Sequence, residues 1–90
     1  MARVEEFSGA REKTGLSVLY REHGDGNITV ALVGEVPLLE SLFTSLHQDE
    51  ARILFMQASE ILESRAHKGE SAAAIEALLR RLFALYAPVA

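Results

Sequence analysis

The tetrapeptide Gly24-Asp25-Gly26-Asn27 separates two runs whose apolar residues recur at every second position. These residue types tolerate the positive φ of a tight reversal, so the chain turns back here and pairs two strands antiparallel. In the first run Leu16, Val18 and Tyr20 point one way and Ser17, Leu19 and Arg21 the other; in the second, Ile28, Val30 and Leu32 alternate with Thr29, Ala31 and Val33. One face of this hairpin is strongly apolar and requires a cover.

Two strands alone are marginal, and their outer edges invite further pairing. Three completions meet that need: the arm around Val4 and Phe7 adds a third short strand, helices cover both faces, or two chains pair edge to edge into a four-stranded sheet. Residues 1–14, where Val4 and Phe7 stand apart among charges before Ser8-Gly9-Ala10, otherwise read as a partly ordered arm. Residues 15–90 read as a single α+β domain.

After Gly34 the period changes to that of a helix. Pro37 fits a first helical turn, and Leu38, Leu39, Leu42, Phe43 and Leu46 fall within an arc of about 140° at about 100° per residue. This predicts a first helix over 37–47. Asp49 is then a cap for a second helix from about residue 50 to Lys68, stopped by Gly69; one kinked helix over 37–68 is the alternative. Ser71 caps a third helix over 72–87, whose Ile75, Leu78, Leu79, Leu82, Phe83 and Tyr86 form one apolar stripe before Pro88. The expected order is ββααα, a hairpin followed by three amphipathic helices.

On the second helix Ala51, Leu54, Phe55, Ala58, Ile61, Leu62 and Ala66 share one face, which is enough to meet a core. Ile53 and Met56 lie on the opposite side, near Gln57, Glu60, Glu63, Ser64 and His67. Leaving two large side chains in water forgoes about 1.5–3 kcal/mol each relative to burial. Either the first helix folds back over them or another chain covers them. Leu19, Ala31 and Val33 repeat the pattern by making the second hairpin face partly apolar. A domain of 90 residues buries only about 60–65% of its unfolded surface, so such a surplus matters.

Charge is unevenly spread. Residues 23–76 carry three basic against nine acidic side chains, whereas the basic clusters are limited to Arg11 with Lys13 and Arg80 with Arg81. An acidic middle suits a basic protein partner better than a phosphate backbone. With no cysteine, thiolate metal sites and thiol chemistry are excluded, and no Gly-x-Ser-x-Gly elbow or phosphate-cradling glycine loop is present. Glu60, Glu63 and His67 at i, i+3 and i+7 form the best metal constellation, yet they need further ligands and read as a solvated face. No apolar run approaches the roughly 20 residues of a membrane span, and Met1-Ala-Arg-Val-Glu-Glu puts charge where a signal peptide is apolar. The expectation is a cytoplasmic, cofactor-free, non-enzymatic protein-binding module, an adaptor or stoichiometric inhibitor acting as a homodimer. Ile53 and Met56 supply apolar anchors; Glu50, Glu60 and Glu63 set a preference for a basic partner, and Arg80 and Arg81 are rim charges suited to an acidic one. The alternative is a dimeric regulator touching nucleic acid through Arg11, Lys13, Arg80 and Arg81.

Overall fold

The computed structural model describes residues 3–24, 26–34 and 43–86. Strands β1 (Val4–Phe7), β2 (Leu16–Glu22), β3 (Asn27–Gly34) and β4 (Phe43–His47) form an antiparallel sheet in the order β1-β2-β3-β4. A single helical turn, α1 (Arg11–Thr14), joins β1 to β2, and two long helices follow, α2 (Gln48–His67) and α3 (Ala72–Tyr86). The molecule is therefore α+β, with a meander of four strands preceding the long helices.

The expected hairpin forms between β2 and β3 in the register Val18↔Leu32, Leu19↔Ala31 and Tyr20↔Val30. Gly24 and Gly26 adopt φ of +83° and +89° in its turn, and the His23 N–H closes on the Asn27 carbonyl at 3.1 Å. Leu16, Val18, Tyr20, Ile28, Val30 and Leu32 are all buried, as the two-residue period demands. Of the three completions, the arm's extra strand is realised: β1 pairs with β2 through Val4↔Arg21 and Phe7↔Val18. Gly15, at φ +72°, and the Thr14 hydroxyl, which donates to the Ala10 carbonyl at 2.9 Å, redirect the chain from α1 into β2.

The first expected helix is corrected. Residues 43–47 are β4, paired to β3 through Asn27↔His47, Thr29↔Ser45 and Ala31↔Phe43, while 37–42 lie outside the described residues. Phe43 and Leu46 fit a helical arc and not a period of two, so the local pattern is overridden: pairing with the otherwise open edge of β3 gives alternate backbone groups of 43–47 hydrogen-bond partners. A short helix end gains far less, since most helical stability comes from packing. The order is thus not ββααα, and the helix kinked across 47–48 is also excluded, because β4 leads directly into α2.

Asp49 is not the cap. His47 holds the N-cap position in extended backbone without a side-chain cap bond, and Asp49 and Glu50 occupy the first turn, where carboxylates face the positive end of the helix dipole. The other end is as expected: Gly69 at φ +82° donates its N–H to the Ala66 carbonyl at 3.0 Å, and the Glu70 N–H reaches the Arg65 carbonyl at 3.1 Å, the paired bonds of a Schellman stop. An Arg65–Glu70 ion pair of 2.8 Å spans the same turn. Ser71 then caps α3, its Oγ accepting from the Ala74 N–H at 3.2 Å.

α2 lies across β2 and β3 with Ala51, Leu54, Ala58, Leu62 and Ala66 buried, and α3 packs on α2 through Ile75, Leu79 and Phe83. Alanines at 51, 58 and 66 let the helix backbone approach the sheet closely. Tyr20 meets the edge of Phe55 with ring centroids 5.5 Å apart, and its buried hydroxyl has no hydrogen-bond partner among the described residues. Leu62→Ala should therefore lower stability in urea unfolding by roughly 2–5 kcal/mol through the cavity it leaves. Tyr20→Phe should raise stability by about 1 kcal/mol, because it deletes an unmet polar group; a loss would show that the hydroxyl is satisfied.

Candidate functional site

The large apolar side chains left in water on α2 are Ile53 and Met56, 49% and 61% exposed. They share a stripe with Glu50, Glu60 and Glu63, all exposed, at i, i+3, i+6, i+10 and i+13 along the helix. At 1.5 Å per residue this stripe is about 20 Å long. The expected anchors and carboxylates of α2 thus occupy one outward side of one rigid element.

Beside the stripe, β1 runs along the edge of the sheet, and the space between them is a groove of about 420 Å³. Phe7, Phe55 and Met56 give it an apolar lining, Ser59 adds a hydroxyl, and Glu5, Glu60 and Glu63 add carboxylates. Each element positions its residues for a local reason. Phe7 and Glu5 are at positions paired with Val18 and Tyr20, which fixes them on the helix-covered side of the sheet. Phe55 is held by Tyr20 beneath it. Met56, Ser59, Glu60 and Glu63 follow from the helical period once Leu54, Ala58 and Leu62 are buried.

The electrostatics are one-sided. Arg3 reaches Glu5 at 3.1 Å, an exposed pair of little energetic weight, while Glu60 and Glu63 have no ion-pair partner among the described residues. Glu6 also borders the groove, but its carboxylate accepts from the buried Ser17 hydroxyl at 3.0 Å. Ser59 Oγ is buried without a hydrogen-bond partner among the described residues. These features favour a ligand that is apolar in part and positively charged in part.

Other expected residues are not gathered here. Arg80 is tied to Glu76 of its own helix at 2.8 Å, and Arg81 borders a different hollow with Arg65, Glu70 and Ala77. Arg11 and Lys13 are exposed on α1. Among the described residues no three His, Asp or Glu side chains assemble a group able to hold a metal, so Glu60, Glu63 and His67 remain separate exposed groups of α2. No helix there is long and apolar enough to cross a membrane.

Sequence reasoning missed Glu5, Glu6, Phe7 and Ser59 as groove residues and assigned Phe55 wholly to the core. The available signal was Val4-Glu5-Glu6-Phe7 itself: read as a strand, it sets Phe7 on the face of Val18 and brings its carboxylates to the edge. Leu85, outside the stripe of α3, is a further exposed apolar side chain that the periodicity did not single out. No protein-family model, curated protein sequence or solved structure matches this chain.

Proposed function

We propose that this chain is a non-enzymatic protein-interaction module, an adaptor or stoichiometric inhibitor, that engages a partner through the outer side of α2. The observation that carries the reading is the exposure of Ile53 and Met56 between Glu50, Glu60 and Glu63. Apolar anchors set among like charges give affinity through burial and orientation through charge, with a preference for a basic partner.

Self-association belongs to the same reading. Leu19, Ala31 and Val33 are only partly buried on the sheet face opposite the core, and Val4, in register with Arg21, is exposed beside them. A second copy laid face to face would cover this strip in a closed two-fold dimer. The nucleic-acid alternative draws less support, because Glu76 already holds the Arg80 guanidinium and the middle of the chain is acidic.

Met56→Glu tests the proposal without touching the core. Capture of the native partner should weaken by about tenfold while the circular dichroism spectrum and the solution mass are unchanged. Undiminished capture by a folded variant would refute it. A gel shift at low salt that disappears steeply as salt rises would instead favour phosphate contact.

A further inference from the structure

We infer that the outer edge of β1 receives an extended, basic segment of a protein partner as a fifth strand of the sheet. The inference rests on the protein-binding reading above and specifies how the partner is held.

Backbone geometry supplies the first argument. The Glu22 N–H donates to the Arg3 carbonyl at 2.8 Å, which makes Arg3 and Glu22 a hydrogen-bonded pair of the β1–β2 ladder. Bonding alternates along an antiparallel ladder, so Glu5 and Phe7 also turn their backbone groups towards β2. Val4 and Glu6 consequently aim N–H and C=O outward, along the terminal strand of the sheet. Among the described residues no strand pairs with this edge, and an edge of this kind accepts another strand by main-chain hydrogen bonding.

The side chains select which strand. On the helix side of the new strand lie Phe7, Phe55 and Met56, with Glu5, Glu60 and Glu63 around them. Across the edge, Glu6 places a fourth carboxylate on the opposite face. An incoming strand presents alternate side chains to the two faces, so basic residues on either face meet a carboxylate, while one aliphatic residue on the helix side seats against Met56 and Phe7.

The same charges disfavour a second copy at this edge. A two-fold axis pairs β1 with itself antiparallel, and every register overlapping three or more of its four residues sets Glu5 opposite Glu5, Glu6 opposite Glu6, or Glu5 opposite Glu6. Like charges directly opposed destabilise a strand pair. The edge therefore fits a basic segment of a different chain, and self-association is left to the apolar sheet face.

The test uses the full chain, nitrogen-15 labelled, and a terminally blocked heptapeptide alternating Lys with Val or Leu. At saturation, exchange of the Val4 and Glu6 amides should slow at least tenfold. Glu60→Gln with Glu63→Gln should weaken binding about fivefold, and N-methylation of every peptide amide should abolish it. Unchanged exchange at Val4 and Glu6, equal binding of the N-methylated peptide, equal binding of an Asp-for-Lys counterpart, or no binding at millimolar concentration would each overturn the inference. Failure here together with a Met56→Glu variant that still loses partner capture would remove the fifth strand alone and leave the interaction surface of α2 standing.

Discussion

The seating of α2 on the β2–β3 hairpin is the interaction on which the rest of the molecule depends. Alanines at 51, 58 and 66 remove the bulk that would hold the helix off the sheet, and Leu54 and Leu62 fill the space over the buried strand residues. Once that face is inward, the 3.6-residue period leaves no freedom for the other side: Ile53, Met56, Glu60 and Glu63 must face out. The exposed apolar pair follows from satisfying the core. β1 and β4 then extend the sheet on either side of this central contact, and α3 closes over the flank of α2.

Much of this was legible because local chemistry and long-range packing agree. The Gly24–Asn27 reversal, the alternating strands beside it, the stop at Gly69 and the Ser71 cap each rest on a few adjacent residues whose conformational demands have one solution. The five core residues of α2 were all among those predicted, and Phe55 and Ile61 from the same arc pack against that core. Residues 43–47 were misread for the opposite reason. Their apolar residues follow the helical period, Phe43 and Leu46 falling on opposite faces of a strand, and the deciding term is the open edge of β3, a partner that no local window contains. Asp49 failed as a cap by the same route, since a strand feeding straight into α2 moves the helix start to Gln48.

The candidate site was half legible. Ile53, Met56, Glu60 and Glu63 declare themselves through helical periodicity, which places them on the wrong side for the core. The wall formed by β1 does not, because a four-residue strand among charges carries almost no propensity signal and becomes definite only through its register with β2. Pairing converts an arm into an edge, and that edge turns a helical stripe into one side of a groove. Acidic charge on both elements gives the groove a sign. The fold thus joins surplus apolar area to a directional set of backbone groups.

The account's central claim is that the outer side of α2, beside β1, is where a partner sits. A photo-crosslinking amino acid placed at position 56, compared with one at position 73 on the exposed face of α3, examines that claim most directly in the native source. The expected result is a crosslinked adduct from position 56 whose partner peptide is basic and comes from a different protein, with none from position 73. Adducts from position 73 alone, or the same adducts in equal yield from both positions, would contradict it.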